Sequence, residues 1–118
     1  MILGTGVDIT EVKRLKKAIG KWGDAFLKRV FTETELKNAQ TRGCLYQHLA
    51  GRFAAKEAVF KAMGNSDLTW QDLNIVNDKE GRPFVKVLNS KGEGVRVSIS
   101  ISHVKDYAVA NAIVTKKT

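Results

Sequence analysis

Two carboxylates stand in unusual surroundings in this sequence, and both could bind a divalent cation. Asp8 closes an alternating segment in which it shares a face with two glycines, so a ligand could approach it closely. Glu57 lies between Phe53 and Phe60 at helical spacing, on an apolar stripe where an ionised carboxylate is costly without a positive partner. Mg²⁺ in proteins is usually held by one or two carboxylates together with phosphate oxygens.

Each carboxylate also has a simpler interpretation. Glu57 could pair with Lys61 one helical turn later, in the order that favours such pairs. Asp8 and Glu11 fit the pattern of a capped helix start, where an acidic side chain is stabilising. The residues taken singly leave both interpretations open.

Cations and a histidine could complete a site for an anion. Three basic residues of the same predicted helix could meet phosphate oxygens: Arg52, Lys56 and Lys61. Ser102 and His103 end an alternating strand and bring a hydroxyl and an imidazole to a turn. His48 is predicted to be structural or solvent-facing, which is the common situation of a lone histidine.

The first half of the chain is predicted to be mainly helical after one leading strand. Thr32 and Glu35 form a capping box, and Gly64 is placed to end the longest helix. The predicted elements are a strand over 2–9, a helix from Val12 interrupted at 20–23, a helical piece over 24–30, a helix beginning near Thr34 and a long helix over 45–63.

The second half is predicted to be antiparallel β-structure. Segments 73–76 and 84–88 flank a six-residue loop and read as a hairpin. Segment 95–102 alternates, with Val95, Val97, Ile99 and Ile101 predicted to point inward, and a last strand is predicted over 107–114. Helices followed by antiparallel strands favour an α+β fold in a single domain over residues 1–118.

Composition narrows the class of protein. The chain has 118 residues with 20 basic against 12 acidic side chains, and the excess is concentrated in the first half. An acidic partner is therefore expected, whether nucleic acid, a phosphorylated small molecule or an acidic protein. One cysteine excludes a disulfide scaffold, and we expect a cytoplasmic protein because no signal peptide or membrane-spanning run is present. No glycine-rich phosphate loop or zinc-site spacing occurs.

Four segments occur together in the order that is typical of one enzyme family. They are Gly-x-Asp-x-x-x-x-x-Arg from Gly6 to Arg14, Phe-x-x-Lys-Glu-Ala-x-x-Lys-Ala from Phe53 to Ala62, Gly-Arg-Pro at 81–83, and Ser-Ile-Ser-His at 100–103 followed by Tyr-Ala at 107–108. On these motifs the chain resembles the short 4′-phosphopantetheinyl transferases, the holo-[acyl-carrier-protein] synthase family. The match extends over nearly the whole chain.

The resemblance implies a reaction and a set of site residues. The 4′-phosphopantetheine arm of coenzyme A would move to a serine of apo acyl carrier protein, releasing adenosine 3′,5′-bisphosphate. Asp8 and Glu57 would hold Mg²⁺ against the pyrophosphate, and Lys61 would lie against the transferred phosphate. Arg52 and His103 would contact the 3′-phosphate of the nucleotide, with Ser102 nearby. Glu57, Asp8 or a water on the metal could serve as general base, with Glu57 favoured.

The resemblance also implies partners. Arg14, Lys21 and Arg29 of the first helix would meet the acidic recognition helix of the carrier protein. The chain is half the size of the two-domain transferases, which implies a homotrimer with sites between subunits. Two other functions stay open as alternatives: a noncatalytic coenzyme A or nucleotide sensor, and a small basic nucleic-acid-binding module, although the resemblance implies neither nucleic acid nor membrane as a partner.

Overall fold

Helices and strands follow one another in the order predicted for an α+β fold. The computed structural model describes residues 1–64 and 67–118. Over that part of the chain the elements are β1 (Ile2–Glu11), α1 (Val12–Val30), α2 (Glu33–Gln40), α3 (Leu45–Met63), β2 (Leu73–Asn77), β3 (Pro83–Val87), β4 (Val95–His103) and β5 (Tyr107–Lys116), with short 3₁₀ turns at Trp70–Asp72 and Ser90–Gly92. The predicted hairpin strands are confirmed to within one residue at each end.

A three-stranded antiparallel sheet carries the long helix. Its strand order is β1-β5-β4, so the first and last strands of the chain are neighbours, and β2 and β3 form a separate two-stranded hairpin. In the register, Asp8 lies opposite Ala110 and Ile101 lies opposite the same residue on the other side. Asp8 on β1 and the end of β4 are thus held in fixed relation through β5.

Two glycines let α3 lie directly on β1. A Cβ atom built on Gly4 would collide with the carbonyl oxygen of Ala62, and one built on Gly6 would collide with that of Ala58. The sequence predicted that another backbone or a ligand would approach this bare strand face, and the occupant is the backbone of α3. The close approach places Glu57, which precedes Ala58, beside the β1 face that carries Asp8.

The buried side of α3 is made of small residues. Ala54, Ala58 and Ala62 pack against the sheet in the same core cluster as Ala110 and Ala112 of β5. Leu49 and Phe53, which the sequence predicted as part of a core stripe, pack instead in a second cluster with α1. Only small side chains fit between α3 and the sheet, because the strand glycines let the helix approach the sheet so closely.

Local signals for helix ends are confirmed, with one adjustment. Thr32 and Glu35 form both bonds of a capping box, and Gly64 ends α3 in the left-handed conformation at φ 61°. The predicted interruption of the first helix over 20–23 is too wide. Within α1 only Gly23 leaves helical geometry, at φ 58° and ψ −138°, so the helix continues through Gly20 to Trp22 and then bends.

The sheet has one covered face and one bare face. Val97, Ile99 and Ile101 of β4 point toward α3, as predicted. The opposite side, the outer sheet face, is formed by Thr5, Val7, Ile9, Ser98, Ser100, Ser102, Val109, Asn111 and Ile113. Three of its apolar members are exposed: Val7 at 60%, Ile9 at 67% and Val109 at 39%. In the described parts of the chain, none of the helices is both long and apolar enough to cross a membrane.

Candidate active site

Asp8 is held at the junction of β1 and α3. Its carboxylate accepts a hydrogen bond from Thr10 Oγ1 at 2.8 Å, and Lys61 Nζ lies 3.5 Å from Oδ1. Lys61 also donates to the carbonyl oxygen of Val7 at 2.9 Å. The capping interpretation of Asp8 is wrong, because Glu11 is the N-cap residue of α1 and makes no side-chain capping bond. Asp8 therefore faces α3 with a lysine beside it.

Glu57 is half-buried and carries an unfavourable charge. Burial raises the pKa of its carboxyl, the negative charge of Asp8 raises it further, and Lys61 acts in the opposite direction. The simple pairing of Glu57 with Lys61 is not what the geometry shows, since the described ion pair of Lys61 is with Asp8. Two carboxylates thus meet here, and among the described residues the ion pair that involves either of them is the one between Asp8 and the exposed Lys61.

Asp8 and Glu57 line one cleft, which we call the carboxylate cleft. It has a volume of about 370 Å³. Its remaining wall comes mainly from α1, together with the residue one turn before Glu57 on α3: Arg14, Leu15, Ala18, Phe26 and Phe53. One end is therefore anionic, the middle is apolar and Arg14 brings a cation to the rim, a combination suited to a molecule with both a charged and an uncharged part.

The carboxylate cleft offers an incomplete set of metal ligands. Among residues 1–64 and 67–118, no group of three or more His, Cys, Asp and Glu side chains is arranged to hold a metal ion. Two mutually repelling carboxylates match the donor set of a hard cation that takes its other ligands from water or phosphate. Asp8 and Glu57 therefore fit Mg²⁺ shared with a bound phosphate group.

Arg52 and His103 come together in a second, smaller cavity, which we call the basic pocket. Arg52 is only 5% exposed, and its Nη2 donates to Asn77 Oδ1 at 2.7 Å. Arg42 and His48 join these residues around a volume of about 160 Å³. The pairing of Arg52 with His103 was predicted. Arg42 and His48 were missed, because the pocket forms only where the start of α3 and the loop before it meet the ends of β2 and β4.

His48 is in the basic pocket and is not the ordinary structural histidine that the sequence suggested. Its pKa is lowered to about 4 by burial first and then by the charges of Arg52, Arg42 and His103. Within the described residues, the buried side-chain nitrogens that lack any hydrogen-bond partner are His48 Nε2 and Arg52 Nε. Both belong to this pocket, which therefore has unused polar capacity.

Two of the predicted site residues, Ser102 and Lys56, line neither the carboxylate cleft nor the basic pocket. Ser102 is on the outer sheet face beside Val109, whereas its neighbour Ile101 lines the basic pocket. Lys56, predicted as a phosphate-binding cation, is fully buried and pairs with Glu35 at 2.8 Å. That prediction is wrong because the side chain of Lys56 turns away from the cleft into the interior.

The three predicted partner-binding residues all lie on α1. Arg14 is at the rim of the carboxylate cleft, and Arg29 is in the last helical turn. Lys21 lies over the ring of Trp22 at 4.9 Å, and that tryptophan is 59% exposed. The helix thus presents an exposed basic surface with one large aromatic group, directly beside the cleft.

The carboxylate cleft and the basic pocket do not meet within one chain. They have no lining residue in common. Arg52 and Glu57 are both on α3, but five residues of α-helix rotate a side chain by roughly 140° about the axis. Arg52 and Glu57 therefore point to different sides of α3.

Comparison with known proteins gives the class. A sequence profile described as the 4′-phosphopantetheinyl transferase superfamily matches residues 4–112. The chain belongs to this superfamily.

Individual relatives and solved structures give a more specific likeness. A holo-[acyl-carrier-protein] synthase of Fusobacterium nucleatum subsp. nucleatum is 43% identical over 123 aligned positions, covering 97% of this chain and 99% of that protein. The crystal structure of a holo-(acyl-carrier-protein) synthase from Bacillus anthracis in complex with CoA (3′,5′-ADP) has a TM-score of 0.86 at 36% identity, covering 99% of both chains. A Helicobacter pylori holo-[acyl-carrier-protein] synthase in complex with coenzyme A has a TM-score of 0.86 at 26% identity, covering 94% of this chain and 99% of that one. The predicted resemblance, the fold and the expectation of an enzyme are confirmed.

Proposed function

We propose that this protein transfers 4′-phosphopantetheine from coenzyme A to a serine of apo acyl carrier protein, in a reaction that depends on Mg²⁺. The observation that carries the proposal is the geometry of the carboxylate cleft. Asp8 and Glu57 share it, Lys61 stands beside Asp8, and an apolar wall continues from them. The named activity and the coenzyme A complexes of the relatives support the same substrate class.

Asp8 and Glu57 would hold the metal. A divalent cation would relieve the repulsion that raises the pKa of Glu57. When bound, Mg²⁺ supplies Lewis-acid polarisation of the pyrophosphate and orients it for displacement. Lys61, fixed by the carbonyl oxygen of Val7, would place its ammonium group against the transferred phosphoryl group.

The chemical step is a displacement at phosphorus. The serine oxygen of the carrier protein forms a bond to the phosphorus that bears the pantetheine arm. The bond from that phosphorus to the bridging oxygen of the pyrophosphate breaks, and adenosine 3′,5′-bisphosphate leaves with the electron pair. The serine proton passes to a base, for which Glu57 is best suited because its raised pKa makes it a stronger base than an ordinary carboxylate.

The basic pocket would bind the 3′-phosphate of the nucleotide. Arg52 is preorganised by its bond to Asn77 and has a free Nε donor, and His103 is on the same cavity wall. A phosphate monoester carries close to two negative charges near neutral pH, so a pocket with several cationic and imidazole groups suits it. Ser102 would contribute only from the outer sheet face.

We infer that three copies assemble through the outer sheet face. Val7, Ile9 and Val109 form an exposed apolar patch on it, larger than isolated surface hydrophobic residues would explain. Assembly through this face would bring the carboxylate cleft of one copy to the basic pocket of the next, which supplies the two halves of the coenzyme A site. The basic surface of α1, with Arg14, Lys21 and Arg29, would receive the acidic carrier protein beside the cleft.

Intact-mass spectrometry of an apo acyl carrier protein tests the reaction. The carrier is incubated with this protein, coenzyme A and Mg²⁺, beside a chelated control. The expected result is a gain of one phosphopantetheine that the chelator abolishes. Tight coenzyme A binding without any gain would show a sensor instead. Absence of both, with nucleic-acid affinity that falls with salt, would show a nucleic-acid-binding module.

Mixing two inactive variants tests whether sites form between copies. Glu57→Gln removes a proposed metal ligand from the carboxylate cleft, and Arg52→Gln removes a proposed phosphate ligand from the basic pocket. Each variant alone is therefore expected to be inactive at limiting coenzyme A. Mixed assemblies would contain some sites with both halves intact, and activity should return on co-refolding. Failure of two soluble, folded variants to complement would mean that each site belongs to one chain.

A further inference from the structure

His48 lines the basic pocket, and one of its ring nitrogens has no hydrogen-bond partner there. Its Nε2 atom is buried without a hydrogen-bond partner, and the same is true of Nε of Arg52, one helical turn later on α3. A buried polar atom left unpaired is costly, and in native proteins such atoms commonly meet water or a ligand. Two of them in one small cavity indicate that a bound group supplies the missing partners.

The surroundings of His48 determine what kind of group this is. The charged and titratable groups facing it are Arg52 on α3, Arg42 between α2 and α3, and His103 at the end of β4. Among the described lining residues there is no carboxylate, and Asn77 from β2 is already an acceptor for Arg52. The field at His48 is therefore positive, and only an anion would complement it.

We propose that His48 is a proton-accepting ligand of the basic pocket, so that binding of a phosphate monoester there is coupled to uptake of a proton by this imidazole. The coupling follows from the geometry. An empty pocket keeps His48 neutral, because a further positive charge beside two guanidinium groups is unfavourable. A phosphate dianion reverses the sign of the local field and gives Nε2–H an acceptor. This inference rests on the proposed role of the basic pocket in binding the 3′-phosphate.

The low pKa of His48 in the empty pocket supports the coupling, because it leaves the ring neutral at physiological pH before the ligand arrives. The direction in which the affinity for the ligand changes with pH then follows. A ligand that raises the pKa of a group binds more tightly as the pH falls through the raised value. Where one proton is taken up for each ligand, the affinity rises tenfold for each unit by which the pH falls.

Titration calorimetry measures the protons directly. The probe is adenosine 3′,5′-bisphosphate, titrated at pH 6.5 into the assembled protein in buffers of different ionisation enthalpy. Adenosine 5′-monophosphate is the control ligand, because it lacks the 3′-phosphate. His48→Gln retains an amide near the position of Nε2 but does not titrate, and His103→Gln is the matched variant at the end of β4.

The expected result is a larger proton uptake by the wild type than by His48→Gln, and only with the 3′-phosphorylated probe. Any proton released by the phosphate itself is common to both proteins and cancels in the difference. His103→Gln should retain most of the uptake. Equal uptake by the wild type and His48→Gln would overturn the inference while leaving the proposed function intact.

Two further outcomes separate the possible failures. If the bisphosphate does not bind to the folded wild type at all, the proposed coenzyme A site is wrong. If His48→Gln does not fold, the ¹⁵N shifts of the His48 ring in the wild type replace it as the readout. Conversion of that ring to the doubly protonated form on adding the bisphosphate supports the inference, and an unchanged neutral ring overturns it.

Discussion

Glu35 and Lys56 form an ion pair of 2.8 Å in which both side chains are completely buried. Glu35 also accepts from the backbone N–H groups of Thr32 and Ile75, and Lys56 donates to the carbonyl oxygens of Val30 and Trp70. The pair therefore fastens the end of α1, the start of α2 and strand β2 to α3. Because Lys56 directly precedes Glu57, this network fixes the part of α3 that carries Glu57.

Removing one partner of this pair should destabilise the fold strongly. Lys56→Met leaves Glu35 as a buried carboxylate without its counter-ion, and we expect a loss of about 3–5 kcal/mol. Urea denaturation measures it. The double variant Glu35→Gln with Lys56→Met removes both charges and should lose less than the sum of the single variants. Additive losses would show that the two charges are not coupled.

Glu57→Gln should abolish transfer without harming the fold. We expect a fall in kcat of at least about 10²-fold, the scale of losing one preorganised electrostatic group. The raised pKa of Glu57 means that the ionised form is disfavoured in the folded state, and this penalty develops as the pH rises from the ordinary carboxyl pKa to the raised one and is fully present above it. In chelator at neutral pH the variant should therefore melt no lower than the wild type.

Mg²⁺ should stabilise the wild type and not the Glu57→Gln variant. Added Mg²⁺ should raise the melting temperature of the wild type by mass action and leave that of Glu57→Gln nearly unchanged. Glu93→Gln, an exposed carboxylate between β3 and β4, is the control and should respond like the wild type. An equal response of all three proteins would remove Glu57 from the metal site.

A methyl group at Gly6 should separate β1 from α3. Gly6→Ala would collide with the carbonyl oxygen of Ala58, which cannot move without the helix, and overpacking of this kind costs about 1–3 kcal/mol. Gly20→Ala is the matched control, because nothing lies near its added Cβ and helix interiors favour alanine by about 0.5–1 kcal/mol. Thermal melts should move in opposite directions. A shift of the same sign in both would contradict the close approach.

Charge reversal on α1 should weaken use of the carrier protein and spare coenzyme A. The pair Lys21→Glu and Arg29→Glu, which lies outside the lining of the carboxylate cleft, should lower kcat/KM for the carrier by about tenfold at low ionic strength, since exposed charges mainly change association rates. The difference from the wild type should shrink as salt is added. Lys117→Glu, beyond the opposite end of β5, should show no such loss, and an equal loss there would point to net charge alone.

Sequence patterns predicted most of the elements because their signals are local. The Thr32–Glu35 capping box and Gly64 each act within one helical turn, so their bonds can be read from neighbours in the chain. The Asp8 and Glu57 pair was found because each residue conflicts with its local apolar or glycine-rich pattern. Such conflicts mark places where something other than local structure determines the residue.

The errors share a different origin, namely partners that are distant in sequence. Lys56 looked available because Glu35 belongs to another helix, and only the packing of α2 on α3 reveals the pair. His48 looked ordinary because Arg52, one helical turn later on α3, is the only one of its three charged or titratable neighbours that helical spacing reveals. Arg42 and His103 come from outside α3, so no periodicity within the helix shows that they also lie beside His48.

The bare apolar strip on the outer sheet face has a practical consequence for handling the protein. Val7 and Ile9 lie on β1, which is an edge strand of the sheet, and an exposed apolar edge is a template for strand-to-strand aggregation. In the proposed assembly of three copies this strip would be covered, so strong dilution would separate the copies and expose it. The separated chains would then be prone to aggregation as well as inactive. Loss of material on storage or on surfaces should accordingly be worst in the most dilute samples, the reverse of ordinary precipitation.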